Sequence, residues 1–314
     1  TMKKLTLFAL VLFMSIGGLA QSKVYLTKRI SPEALVAIYQ AVGRPAKGRV
    51  AVKISTGEAG NPNYLKPTLI KNLVNDVHGT IVECNTAYGG KRASFEDHWK
   101  TIKEHGFDSL FVVDLMDQDG EMRIPVRDHS HLKYDIVGKH LANYTFMINL
   151  SHFKGHPMGG YGGALKNQSI GVASANGKAY IHSGGKQEVV EGLWQNTAQQ
   201  DVFLESMAAA AQGVADYFGD NIVYINVMNN MSVDCDCVAH PQPVQLQDYG
   251  ILASTDPVAL DQACVDIVNN MIASPGNNNK PLVERINKQH GTHTIDWAEK
   301  IGMGSKKYKL IKIE

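Results

Sequence analysis

The chain has 314 residues, with 31 Lys and Arg against 30 Asp and Glu and a hydrophobic content of 44%. A chain of that length can bury a large core, and this composition excludes wholesale disorder. The balanced charge argues against a nucleic-acid partner, and the 4 Cys are too few for a disulfide scaffold of this size.

Residues 1–20 read as a secretory signal peptide. Lys3 and Lys4 form the positive start, residues 5–16 an apolar run broken only by Thr6 and Ser15, and Gly18-Leu19-Ala20 the small residues of a cleavage site. Thr1, ahead of Met2, reads as an added residue. Removing this segment takes two Lys and leaves 29 basic against 30 acidic residues in 21–314. No later run is long and apolar enough to span a membrane, so the expected mature protein is a soluble periplasmic or secreted one. Thiols oxidise in such a compartment.

Short apolar runs, most of them rich in Val, Ile and Phe, recur at 50–54, 80–83, 110–113, 145–150, 222–227 and 251–254. They predict strands buried on both faces. Helical patterns fall between them. Ser31-Pro32-Glu33 opens one with an N-cap Ser and a Pro in the first turn, ending before Gly43. Others cover 67–77, 94–105 and 200–218, and Asp256-Pro257 starts a last one. This alternation predicts an α/β fold with a mainly parallel, or mixed, sheet flanked by helices. Residues 21–314 form one large domain or two closely packed lobes, with 184–199 the best boundary. Residues 155–163 and 231–247 read as loops.

The densest chemistry lies in Ser151-His152-Phe153-Lys154-Gly155-His156, which follows a predicted strand and enters a stretch with five Gly and a Pro in nine residues. Loops at the carboxyl ends of parallel strands form the binding crevice of open sheets. His152, Lys154 and His156 alternate, and an extended backbone puts them on one face. Imidazoles can bind a metal or move protons, and an ammonium can fix an anion. Lys166 joins them as a candidate catalytic group, with Gly162, Gly163 and Asn167 as ligand-binding neighbours. The loop matches neither nucleotide-binding pattern, so no nucleotide cofactor is expected.

Asp234-Cys235-Asp236-Cys237 with His240 forms a second cluster. Its two sulfurs can share one metal, zinc or iron, or form a disulfide. Cys84 and Cys264 sit in apolar contexts and read as core thiols. Lys53, alone in a strand run, and Asn85 and Arg92, in a polar strand-end loop, are further ligand-binding candidates. So are His182, Asp256 and Asp261, although Asp256 before Pro257 is first a helix cap. Asp114, Asp117 and Asp119 lack the spacing of a calcium loop.

In chain order, Val52-Lys53-Ile54, residues 85–92, the His152 to His156 motif, Gly162-Gly163-Ala164-Leu165-Lys166-Asn167, the Asp234 to Cys237 motif and Asp256-Pro257-Val258-Ala259-Leu260-Asp261 resemble the uncharacterised iron–sulfur-centre proteins of domain of unknown function 362. The resemblance covers about 50–313. Many members carry ferredoxin-like Cys clusters after the segment matching His182, whereas residues 184–203 here contain no Cys. A [4Fe-4S] cluster needs about four thiolates, so the resemblance does not extend to one in this chain.

The expectation is therefore an exported protein that takes a small polar or anionic molecule and is a metal-binding or redox-related enzyme. A metal-free thiol–disulfide protein using Cys235 and Cys237, or a non-catalytic periplasmic binding protein, are the alternatives.

Overall fold

A computed structural model describes residues 21–314, so the segment assigned to export lies outside the described residues. In chain order the elements are β1 (Ser22–Thr27), α1 (Pro32–Val42), β2 (Val50–Lys53), α2 (Pro67–Asp76), β3 (Thr80–Glu83), α3 (Phe95–Glu104) and β4 (Val113–Leu115). Next come β5 (Glu121–Ile124), β6 (Asp135–Gly138), β7 (Phe146–His152), β8 (Lys154–His156), β9 (Gly160–Gly162), α4 (Ala164–Gln168) and α5 (Ala175–His182). The chain closes with α6 (Gln200–Phe218), β10 (Ile222–Met228), β11 (Gly250–Ser254), α7 (Pro257–Asn270), α8 (Lys280–Lys288), α9 (His293–Lys300) and β12 (Tyr308–Lys312).

Eight strands form one sheet in the order β12-β1-β11-β10-β7-β2-β3-β4. All adjacent pairs are parallel except those of β11, which runs against both β1 and β10. The α/β fold with a mainly parallel, mixed sheet is thus present. The central strands are buried along their whole length, β7 and β10 included. Val52, Ile148, Val223 and Ile225 face α1, α2 and α3 through Leu35, Ile38, Leu73 and Ile102. Ala51, Met147, Tyr224 and Leu252 face the opposite layer, with Ala208 and Ala211 of α6 and Leu260 of α7. The small Ala side chains let α6 approach closely.

Local chemistry fixes the helix ends. The Ser31 hydroxyl accepts from Ala34 N–H at 3.1 Å, and Gly43 closes α1 at φ 72°. Ser94 accepts from Asp97 N–H at 3.2 Å and opens α3, whose first turn carries Glu96 and Asp97 against the helix dipole.

Two expectations change. The strand expected at 110–113 lies at 113–115 instead, because Phe111 N–H still bonds to Phe107 O in the turn after α3, and Val112 is 71% exposed. Residues 155–163 contain a short antiparallel hairpin, β8–β9, rather than only loop. Residues 231–247 do lack regular elements. The segment 184–199 carries only a short turn, Leu193–Gln195, and strands after it join the same sheet as strands before it. Among the described residues no helix is long and apolar enough to cross a membrane.

Candidate functional site

A cavity of about 50 Å³ opens where β2, β3 and β7 end, beside the start of α4. It has room for a few water-sized atoms, not for a nucleotide. Lys53, Arg92, Lys154, Lys166 and Lys178 line it, together with the carboxylates Glu83 and Asp236. Four of the cations are buried, and Lys166 is partly exposed.

The carboxylates are already committed. Glu83, the last residue of β3, meets Arg92 Nη1 at 2.8 Å and His98 Nε2 at 3.3 Å, and accepts from Thr56 N–H at 2.9 Å. Burial opposes its ionisation, but Arg92, His98 and Lys53 hold its pKa well below the usual range. Arg92 also faces Glu58 at 3.5 Å. Asp236 Oδ1 lies 2.8 Å from His152 Nδ1, and its Oδ2 lies 2.7 Å from Lys154 Nζ. Burial again opposes the charge, and these two partners prevail and lower the pKa.

Lys166 has no ion pair among the described residues. Burial, followed by the neighbouring Lys154 ammonium, pushes it down to about 7. Lys53 is lowered to about 8, again chiefly by burial, although its Nζ reaches Asn167 Oδ1 at 3.2 Å. Lys178 donates to Ala173 O at 2.6 Å. The cavity therefore holds more cationic than anionic side chains, and two of its amines, Lys166 and Lys53, are lowered towards neutral pH.

Of the expected site residues, Lys53, Arg92, His152, Lys154, Gly162, Gly163, Lys166 and Asn167 all line this cavity. His152 is held at both ring nitrogens. Its Nδ1 faces Asp236 and its Nε2 faces Asn229 O at 2.6 Å. Both ring nitrogens are thus engaged within the fold by acceptor oxygens. His152 positions Asp236.

His156, unlike His152 and Lys154, does not line this cavity. Its buried ring lies by the second cluster instead, with one atom each of His156, Cys235 and Cys237 within 4.8 Å of one another. The two sulfurs are joined in a disulfide, with Cα atoms 5.3 Å apart. His156 Nδ1 accepts from the N–H groups of Met158 at 3.2 Å and Gly159 at 2.8 Å. Burial, then Lys166, lowers the pKa of this imidazole well below its usual value. His240, expected beside the cysteines, is exposed near Gly60. The group able to hold a metal is thus His156 with the two cysteines, and the sulfurs become thiolates only after reduction.

Other candidates support the cavity from outside it. Asp261 on α7 accepts from Ala164 N–H at 2.8 Å, Leu165 N–H at 3.0 Å and Asn226 Nδ2 at 2.7 Å. It comes so close to Gly163 that a Cβ there would lie 2.6 Å from its Oδ1. Asn85 Oδ1 accepts from His98 Nδ1 at 2.8 Å. His182 stacks on Phe203 and pairs with the Tyr88 hydroxyl at 2.6 Å; burial lowers its pKa to about 3, so the ring is neutral. Asp256 is a cap, accepting from Val258 N–H at 2.9 Å and Ala259 N–H at 3.1 Å, away from the cavity. Cys84 and Cys264 are buried free thiols, and burial raises both. Cys84 also forms part of the cavity wall.

Glu83, Tyr88, Lys178 and Asp236 were missed. Only Asp236 carried a local signal, as a carboxylate set between two cysteines.

An α/β protein with a cationic cavity at the carboxyl ends of its parallel strands is the class that fold and site define. Residues 50–266 match the family described as Domain of unknown function (DUF362), and the chain belongs to that family. No curated protein matches it. Among solved structures it is similar to the lactate racemase apoprotein from Thermoanaerobacterium thermosaccharolyticum, at 15% identity and a TM-score of 0.38, over 66% of this chain and 50% of that one. It is also similar to a Thermotoga maritima protein, at 10% identity and a TM-score of 0.41, over 86% of this chain and 58% of that one. The chain thus spans between half and three-fifths of these structures, and likeness at this level assigns no function.

Proposed function

We propose that the chain binds a small anionic molecule, a carboxylate or a phosphate, in the strand-end cavity and that Lys166 exchanges a proton with it. The single observation behind this is the five cationic side chains around one small chamber whose carboxylates are already paired. An anion would relieve the repulsion that Lys166 feels, and an amine near neutral pH suits acid–base work. A thermal-shift screen of phosphate, sulfate and small mono- and dicarboxylates tests it. At least one should raise the melting temperature, and less so in Lys166→Met. No shift with any of them, or an equal shift in the variant, would count against the reading.

A second reading is favoured by Cys237, which lines the same cavity. In it the Cys235–Cys237 disulfide exchanges with a thiol, and after reduction His156, Cys235 and Cys237 hold one zinc or iron ion. Elemental analysis of oxidised and reduced protein separates the two states: metal bound equally in both would defeat this reading. The export inferred from residues 1–20 suits a disulfide, and we place the protein in the periplasm or outside the cell on that basis. Cell fractionation that recovers it only from the cytoplasm would overturn the placement.

A further inference from the structure

A second cluster of ligating groups lies on the other side of the β8–β9 hairpin. Asp201 sits in the first turn of α6, and His290 and His293 flank the turn between α8 and α9. One atom of each lies within 4.8 Å of the others. His290 Nδ1 is 2.6 Å from Asp201 Oδ1, and the two imidazole rings stack at 4.9 Å between centroids. A tetrahedral zinc ion spaces its ligand atoms about 3.3–3.6 Å apart, so small side-chain rotations reach that geometry.

The surroundings suit a metal. Glu205, one turn after Asp201, meets His293 Nε2 at 2.9 Å and His131 Nε2 at 2.5 Å. A carboxylate on one ring nitrogen fixes the imidazole and leaves Nδ1 as ligand, the usual outer contact of metal-binding His. His290 adopts φ 51°, the left-handed conformation that glycine favours after a helix, and this places its ring against α6.

We propose that Asp201, His290 and His293 form a site for one divalent transition-metal ion, zinc or a similar borderline cation. Imidazole with carboxylate selects such ions over calcium and magnesium. The site stands apart from the strand-end cavity and independent of its function. It does share a frame with it. The Gln200 side chain donates to Met158 O and Gln289 O, both at 2.7 Å, and Gly160 lies so close that a Cβ on it would be 2.8 Å from Gly291 Cα. A bound ion would brace the turn that backs the hairpin.

Calorimetry on tag-free, disulfide-bonded protein tests this with zinc, cobalt, magnesium and calcium chlorides. Zinc should bind one to one, at least tenfold more weakly in His290→Ala and in His293→Ala, with no magnesium or calcium binding. His290 and Asp201 are half exposed, so His290→Ala and Asp201→Asn test the site even if His293→Ala fails to fold. Cobalt should give visible d–d bands without a thiolate charge-transfer band. Absence of stoichiometric zinc binding, unchanged binding in His290→Ala and Asp201→Asn, or binding lost only in the Cys235→Ser/Cys237→Ser variant would each overturn the proposal.

Discussion

The ammonium of Lys154 lies 2.7 Å from Oδ2 of Asp236, the residue between the two bonded cysteines. With His152 on the other oxygen, this pair ties the cysteine loop to the end of β7. Removing one member of a buried pair leaves the other charge uncompensated, at a cost of about 3–5 kcal/mol. Asp236→Asn should therefore lower the urea midpoint by that order of stability with little change in slope. A loss under about 0.5 kcal/mol would mean that the pair does not hold the loop.

Lys166 is charged below about 7 and neutral above it. If its cation recruits the anion, affinity is greatest below that pH. It should weaken as pH rises through about 7, by up to about tenfold per unit. Calorimetry with the best anion from pH 6 to 9 reads this directly. Lys166→Met should flatten the profile as well as weaken binding.

Cys84 and Cys264 are buried, and burial raises both thiols. Native oxidised protein should show no fast-reacting thiol. Mild reduction should expose the partly accessible Cys237 to thiol reagents, while Cys84 and Cys264 stay silent until unfolding. Fast labelling of four thiols in folded, reduced protein would contradict this packing.

Asp135 on β6 is buried, and neither carboxylate oxygen has a hydrogen-bond partner. Burial raises its pKa to about 7 from the ordinary 3.8. The folded state thus holds the proton more tightly than the unfolded one. This contribution is complete below about 4 and is lost as pH rises towards 7. Asp135→Asn should remove that loss and stabilise the protein at pH 8 by on the order of 3 kcal/mol, with little effect at pH 4. A destabilised variant at pH 8 would show that the carboxylate is paired there.

The central strands were legible because burial on both faces demands continuous apolar runs, as in 146–152 and 222–228. The edge strand β12 was not, since its exposed Lys309 and Lys312 dilute the pattern. The first strand, β1, was missed as well. The three-residue strands β8 and β9 hid in glycine-rich sequence. The site was read from a lone Lys inside a strand run, Lys53, and from polar residues at or beyond strand ends, which gave Arg92, His152, Lys154, Lys166 and Asn167. What failed was pairing across the chain. His152 and Asp236 are 84 residues apart, and no local spacing reveals that they meet or that His156 lies beside the two cysteines. His240 was chosen for its closeness in sequence to Cys237, and the fold supplies His156 instead.

The central claim is that Lys166 is a near-neutral amine that receives a small anion. Selective ¹⁵N labelling of lysine and NMR titration of the ε-amine signals, assigned with Lys166→Met, measures this group alone. The account predicts that the Lys166 signal titrates near 7 in the free protein and shifts to higher pH when a binding anion is added. A signal that titrates in the ordinary lysine range, or that no anion in the series moves, would contradict it.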